Sequence, residues 1–264
     1  METDARHWQH AAKLYGDGRY MDPELARHIR DVYLALLRRW APQLDNPRIL
    51  KTDAFADATW PARAFTWSIH EAGLLVCYDI APGMTTLGKR NAAALGRPDT
   101  AYVTADARLL PFDNEAFDLI VSDSTLDHFH TTDEIMVALR EHARVLKRGG
   151  VMVIALDNPH NVTEPLFRLW LRYGPSPYFI GKTLTKAALV TSLEGVGLEV
   201  TDITAILHYP RLVTKSFLRL LRWTAPRRGD ALARAVLALL NRLERCPLRY
   251  CTGLFVAARA VKPL

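Results

Sequence analysis

The chain has 264 residues, 49% of them hydrophobic and 23% charged, so it is long enough to bury one large core. Its net charge of +6 is uneven, because residues 211–249 hold ten Lys/Arg and only two acidic residues. No apolar run reaches the roughly 20 residues that span a bilayer, and the polar start METDARHWQH lacks the apolar centre of a secretion signal. Three scattered cysteines exclude a disulfide framework and a zinc site. We therefore expect a cytoplasmic protein.

The first predicted elements are a helix, a loop and a short strand. Residues 22–40 carry apolar side chains at helical spacing, with Asp22 as the predicted N-cap and a proline next to it. Two further prolines delimit a loop before a strand at 48–50. Residues 57–71 are predicted to form a helix, in which Pro61 lies in the first turn or breaks it.

Strands and helices alternate from residue 73 onward. The predicted strands are 73–80, 100–106, 117–123 and 151–157, and the helices between them are 83–95 and 132–150. This alternation predicts a mostly parallel sheet with helices on both faces, whose ligands bind at the carboxyl ends of the strands. The later predictions are a loop-and-helix cover at 160–182, a helix and strand at 183–200, two helices in 211–249 and a last strand at 250–261.

The segment 106–155 contains short motifs in a fixed order. They are Asp106-Ala107, Leu110-Pro111-Phe112, Phe117-Asp118-Leu119-Ile120, and Arg144-Val145-Leu146-Lys147 with Gly149-Gly150. In this order they resemble the central half of class I S-adenosylmethionine-dependent methyltransferases of the type 11 group. The resemblance implies an α/β, Rossmann-like class I methyltransferase fold with helical insertions covering the strand tips.

The resemblance also implies where S-adenosylmethionine is bound. Asp79, at the end of a predicted strand, would accept hydrogen bonds from both ribose hydroxyls, and Ile80 follows it in the binding set. Asp106 would accept the adenine amino group while Ala107 presents its N–H to the ring, and Asp123 would line the cofactor at the end of strand four. Alternatively, the carboxylates at 79 and 106 only cap helices or turns.

The turn after the first strand, residues 51–57, contains no glycine. The family usually has an acidic residue and three glycines there, which let the backbone approach the methionine end of the cofactor. In one interpretation the turn is rebuilt: Asp53 or Asp57 pairs with the methionine ammonium, Thr52 donates its hydroxyl, and Lys51 meets the methionine carboxylate or an internal acid. In the other, the site has lost its cofactor affinity or binds another nucleotide-like ligand.

The segment SDSTLDHFH, residues 122–130, concentrates titratable side chains where the substrate is expected. His128 is the candidate general base, because imidazole titrates near neutral pH. The alternative is an exposed loop that caps the next helix. No metal site is predicted, because nothing else in the chain supplies a matching ligand. A sulfonium is already an activated methyl donor, so methyl transfer does not require a strong base.

The basic segment 211–249 is predicted to form two amphipathic helices broken near Pro226 and Gly229. Such helices lie on an anionic membrane surface or hold a lipid-like substrate. Alternatively, they form a lid that buries its apolar face on the sheet and leaves its arginines in solvent. Nucleic acid is not an expected partner, because the chain has no binding module and no series of aromatic residues for stacking.

These patterns predict an N-terminal helical segment at 1–47 and a methyltransferase-like domain at 48–264. We expect an S-adenosylmethionine-dependent methyltransferase that acts on a small apolar or lipid-like molecule, in the cytoplasm or at the periphery of a membrane. The competing expectation is a non-catalytic or altered-cofactor protein of the same fold that acts through a partner.

Overall fold

A computed structural model describes residues 2–15, 21–69, 72–173 and 179–264. Its strands are β1 Arg48–Thr52, β2 Leu74–Asp79, β3 Ala101–Thr104, β4 Phe117–Asp123, β5 Leu146–Asp157, β6 Glu199–Ile206 and β7 Phe255–Val261. Its α-helices are α1 Glu2–Tyr15, α2 Pro23–Trp40, α3 Phe55–Thr59, α4 Pro82–Ala94, α5 Thr132–Val145, α6 Glu164–Tyr173, α7 Lys186–Glu194, α8 Arg211–Thr224, α9 Gly229–Asn241 and α10 Arg249–Thr252.

All seven strands form one sheet in the order β3-β2-β1-β4-β5-β7-β6. Neighbours among the first five strands pair in parallel, whereas β7 runs antiparallel to both β5 and β6. The carboxyl ends of β1 to β4 therefore meet at one edge of the sheet, which is where ligands bind in open α/β folds. The predicted α/β fold with a mostly parallel sheet is confirmed.

Helices cover both faces of the sheet, and each face has its own apolar core. On one face, Ile135 and Leu139 of α5 pack with Leu189 of α7 against the sheet. On the other face, Leu36 of α2 packs with Leu237 of α9. This two-sided burial explains why the central strands read as almost continuous apolar runs.

The predicted N-cap of α2 is confirmed, and so is the break within the basic segment. The Asp22 carboxylate accepts hydrogen bonds from the N–H groups of Glu24 at 3.0 Å and Leu25 at 3.2 Å. Helix α8 ends at Thr224 and α9 begins at Gly229, on either side of Pro226.

Two predicted helices are shorter in the structure. The helix predicted at 57–71 is wrong: α3 ends at Thr59, a turn and one short 3₁₀ helix follow, and residues 70–71 lie outside the described ranges. Pro61 accounts for this end, because proline has no N–H and disfavours helix in the residue before it.

The helix predicted to reach residue 150 ends at Val145, whose carbonyl accepts the N–H of Ala116 at 2.8 Å. At Val145, hydrogen bonding to another segment of the chain therefore competes with the continuation of the helix.

The predicted covers lie after the carboxyl ends of β5 and β6. Segment 160–182 contributes α6, and its residues 174–178 lie outside the described ranges. Segment 211–249 contributes α8, α9 and a short 3₁₀ helix. Among the described helices, none combines the length and the hydropathy that crossing a bilayer requires.

Candidate active site at the carboxyl edge of the sheet

A cavity lies at the carboxyl ends of β1, β2, β3 and β4, and most of the predicted site residues line it. Those that do are Asp53, Asp79, Ile80, Asp106, Ala107, Asp123 and His128. Lys51 and Thr52 are not among the lining residues, because both side chains are buried beneath the turn. The cofactor-binding role of each of these residues stays a prediction, but the geometry brings seven of the nine together.

The carboxylate of Asp79 joins the ends of β1 and β2. One oxygen accepts the N–H of Ala54 at 3.0 Å, and the other accepts the N–H of Ala81 at 2.8 Å. Burial, together with the nearby charge of Asp53, raises the pKa of Asp79 to about 7. The carboxylate therefore caps two turns, as the alternative interpretation expected, and also faces the cavity.

This raised pKa predicts a pH-dependent stability difference between Asp79→Asn and the wild type. Between about pH 4 and pH 7 the folded wild type keeps a proton that the unfolded chain releases, so its stability falls as pH rises through that window. Asparagine does not titrate. As pH rises from about 4 to 7, the variant should therefore gain stability relative to the wild type, by at most about 1.4 kcal/mol per pH unit. Urea unfolding of both proteins at about pH 5 and pH 8 measures this, and a difference independent of pH would contradict it.

Lys51 holds the glycine-free turn from inside the protein. Its side chain is 1% exposed, and its ammonium donates to the carbonyl oxygens of Thr52, at 3.4 Å, and of Asp53. It also lies 4.0 Å from the buried carboxylate of Asp57. Burial disfavours the charged ammonium, but Asp57 and Asp53 outweigh it and hold the pKa of Lys51 above its ordinary value. Lys51 thus meets an internal acid, one of the two roles predicted for it.

The first residue after β1 is Asp53. Its φ of 70° lies in the left-handed region, which aspartate tolerates better than most side chains, and its carboxylate accepts the N–H of Phe55. Burial raises the pKa of Asp53 above its ordinary value. An aspartate with positive φ therefore stands where the family usually places glycine.

Asp106 is held by Arg108 at the rim of the cavity. The Arg108 backbone N–H donates to Asp106 at 2.9 Å, and its guanidinium donates to the same carboxylate at 2.7 Å. That guanidinium also contacts Glu134 at 2.6 Å and Asp4 at 3.2 Å. Although burial opposes it, the bonds from Arg108 keep the pKa of Asp106 below its ordinary value. This carboxylate is therefore ionised and fixed in place.

His128 lies on the loop after β4 with a defined orientation. Its Nδ1 is 2.6 Å from the carbonyl oxygen of Phe179, and because a carbonyl can only accept, Nδ1 carries the proton. That tautomer places the basic lone pair on Nε2. Nearby, Asp123 accepts a hydrogen bond from Arg63 at 3.2 Å. The loop therefore supplies an oriented base and a paired carboxylate to the same cavity.

The chain was compared with protein families and solved structures. Residues 61–154 match the family described as a methyltransferase domain. An S-adenosylmethionine-dependent methyltransferase from Mesorhizobium loti superposes with a TM-score of 0.57 and 18% identity, over 88% of this chain and 98% of that one. The chain has the class I methyltransferase fold. The predicted resemblance is thereby confirmed.

Two further proteins are similar to this chain, one in sequence and one in structure. A demethylmenaquinone methyltransferase of Renibacterium salmoninarum is 37% identical over 104 residues, which are 39% of this chain and 40% of the relative. The match thus spans about two fifths of that relative's length. The structure of the [4+2]-cyclase SpnF superposes with a TM-score of 0.58 and 18% identity, over 89% of this chain and 81% of that one.

Helix α1 supplies a wall of the cavity that the sequence interpretation missed. Asp4, His7 and Trp8 line it, and the Trp8 ring lies 4.6 Å from the ring of His128. Gln9 accepts the N–H of Gly83 at 2.8 Å, which fixes α1 to the start of α4. The spacing of Asp4, Trp8 and the buried Ala11 is helical and could have indicated an inward face.

Within residues 2–15, 21–69, 72–173 and 179–264, no three His, Cys, Asp or Glu side chains converge as metal ligands would.

Proposed function

We propose that the protein transfers a methyl group from S-adenosylmethionine to a small apolar, lipid-like molecule. The observation that carries this proposal is the convergence of Asp53, Asp79, Asp106 and Asp123 on one cavity at the strand tips of a methyltransferase fold. Four carboxylates around one cavity suit a ligand that is cationic and rich in hydrogen-bond donors.

The chemistry of these side chains fits the groups of S-adenosylmethionine. Asp53 and Asp123 suit its ammonium and sulfonium charges, Asp79 suits the ribose hydroxyls, and Asp106 suits the adenine amino group. When bound, the cofactor supplies an activated methyl group on a positively charged sulfur. The protein's own task is to orient the acceptor and to exclude water.

The aromatic residues of the cavity support an apolar acceptor. Trp8, Phe55, Phe129 and Phe179 line it together with the carboxylates. The similarity to a demethylmenaquinone methyltransferase supports a lipid-soluble acceptor of the quinone type, within the 104 residues that match. His128, oriented by the Phe179 carbonyl, would take a proton from such an acceptor at Nε2.

A specific observation keeps a second function open. The turn after β1 lacks the family's glycines, and the fold is shared by a protein described as a [4+2]-cyclase. A fold does not fix its chemistry, so the domain could act without methyl transfer or with another ligand. The second function involves no transfer of a methyl group, and where it uses another ligand the cavity would not bind S-adenosylmethionine.

Calorimetric titration of the full chain with S-adenosylmethionine and with S-adenosylhomocysteine tests the proposal. We expect both to bind with a stoichiometry of about one, at micromolar affinity typical of enzyme ligands. Transfer of label from methyl-tritiated S-adenosylmethionine to demethylmenaquinone then tests the acceptor. A folded protein that binds neither ligand would rule out methyl transfer, whereas binding without transfer would reject only this acceptor.

We expect His128→Asn to lower the rate constant of transfer by about 100-fold, at the low end of general-base effects because the methyl donor is already activated. Asparagine keeps a side-chain donor for the Phe179 carbonyl but provides no base. The affinity for S-adenosylhomocysteine should stay within about threefold, since the fold is retained. His160→Asn, at an exposed position, is the matched control. An unchanged rate would show that the acceptor needs no base from this residue.

A further inference from the structure

Helix α6 presents an apolar stripe to solvent. Leu166, Leu169, Trp170 and Tyr173 follow the spacing i, i+3, i+4 and i+7, which places them on one face. Their side chains are 38% to 74% exposed. An ordinary surface helix turns such a stripe toward the core, so this one needs a different explanation.

Helix α8 repeats the pattern. Val213, Phe217 and Leu220 follow the spacing i, i+4 and i+7 and are 58%, 41% and 52% exposed, and Trp223 beyond them is 78% exposed. The residues of α8 that face the core are different ones, Thr214 and Leu218. Helix α8 therefore has one apolar face on the protein and another in solvent.

Helices α6 and α8 contact each other near their N-terminal ends. Arg211 at the start of α8 lies 4.7 Å from the ring of Phe167 in α6, and its guanidinium is 3.9 Å from Glu164. It also pairs with the buried Asp157 at the end of β5. These contacts of Arg211 make α6 and α8 neighbours at the surface, although β7 lies between β5 and β6 in the sheet.

The charge on these two helices is almost entirely positive. Together they carry six Lys/Arg and one acidic residue, Glu164, which is buried. Arg168, Arg211 and Arg222 form ion pairs with acidic residues of the protein itself. The exposed cations of the two helices are Arg172 and Arg219, and Arg227 and Arg228 follow α8 in the chain. Neither helix has an exposed acidic residue, and the exposed Asp230 beyond α8 is paired with Arg222, so the exposed charge of this region is predominantly positive.

We propose that α6 and α8 form a docking surface for an anionic lipid bilayer. Exposed aliphatic side chains, Trp and Tyr rings, and flanking arginines are the combination that inserts amphipathic helices at the level of lipid headgroups. The arginines are complementary to anionic headgroups. The proposal is independent of methyl transfer, because it concerns the outer surface of the covers.

The proposed surface differs from the segment that the sequence indicated. Helix α9 belongs to the body of the protein, since Ala233 and Leu237 are buried and Arg234 pairs with Glu24 at 3.2 Å. Helix α6, which lies outside the basic segment, takes its place. The sequence predicted a membrane contact through residues 211–249. Our proposal keeps only α8 of that segment and adds α6.

Flotation of the full chain with vesicles tests this surface. With vesicles containing about 30% phosphatidylglycerol in phosphatidylcholine, we expect binding at about 20 mM salt that weakens at least tenfold at about 500 mM salt. Binding to pure phosphatidylcholine should be weaker by a similar factor. If the protein binds neither vesicle at low salt, the proposal is wrong.

Matched variants locate the contact. Leu169→Glu combined with Phe217→Glu should reduce binding to the anionic vesicles by more than about tenfold, since each change places a charge on an exposed stripe. Leu232→Glu combined with Leu239→Glu is the control, because it adds the same charge at two residues of α9 that are also exposed, at 41% and 60%, and lie outside the proposed surface. Equal losses in the two proteins would overturn the assignment. So would light scattering that shows a stable oligomer dissociated by the double substitution, because a second copy would then cover the stripes.

Discussion

Replacing Asp79 by alanine should weaken the binding of S-adenosylhomocysteine by about 1000-fold. At about pH 8, above the pKa of Asp79 of about 7, the proposed contact comprises two hydrogen bonds to an ionised carboxylate, each worth about 1.5–3 kcal/mol. The carboxylate is 8% exposed, so water cannot readily take its place. Calorimetric titration of wild type and variant measures the effect. Asp45→Ala, an exposed aspartate in the loop before β1, is the matched control and should bind as the wild type does.

The same substitution also removes the acceptor for the N–H groups of Ala54 and Ala81, so lost affinity alone would not identify the ribose contact. A ligand without the ribose 3′-hydroxyl separates the two effects. If Asp79 accepts from that hydroxyl, its removal should cost the wild type about tenfold or more in affinity and cost the variant little. Equal losses in both proteins would mean that the carboxylate acts only on the turn.

Local sequence patterns were sufficient for much of the fold. The strand predicted at 117–123 matches β4 residue for residue, because its apolar run is buried on both faces. The predicted end of α5 was wrong, because Val145 lies where a helical hydrogen bond competes with pairing to Ala116, a residue distant in sequence. Competition of this kind depends on the assembled sheet and leaves no local pattern.

In the candidate site, too, some residues could be predicted from the sequence and others could not. Asp79, Asp106 and Asp123 could be placed from the sequence, because strand ends and family motifs fix their positions. Helical spacing could have indicated an inward face of α1, but not that this face forms a wall of the cavity, since that depends on Trp8 reaching His128 across 120 residues of sequence. The sequence also could not decide which group the Lys51 side chain contacts. Only the packed core shows that it faces Asp57 and not the cavity.

Three side chains explain how a turn without glycine is stabilised after β1. Glycines usually supply positive φ and a close backbone approach after the first strand. Here Asp53 supplies the positive φ, Asp79 accepts the N–H of Ala54, and Lys51 binds two carbonyl oxygens from below. Side-chain hydrogen bonds thus do part of what glycine does by lacking a side chain. Binding of the methionine end of the cofactor by this turn stays a prediction.

Lys51→Met should therefore lower the free energy of unfolding by about 3–5 kcal/mol, the cost of leaving a buried charge without its partner. The buried carboxylate of Asp57 would keep its hydrogen bonds from Thr66 and Tyr102 but lose its nearest cation. Two carbonyl oxygens of the turn would also lose their donor. Urea unfolding of the full chain, followed by circular dichroism, measures the change.

Two further variants distinguish the buried pair from a simple loss of a lysine. Lys89→Met, at an exposed position of α4, should change stability by less than about 0.5 kcal/mol. Adding Asp57→Asn to Lys51→Met should recover part of the loss, because a neutral amide needs no counter-charge and can still bond to Thr66. If the double variant is no more stable than Lys51→Met, the electrostatic pairing is not what holds the turn, and the lost hydrogen bonds to the carbonyls of Thr52 and Asp53 account for the whole effect.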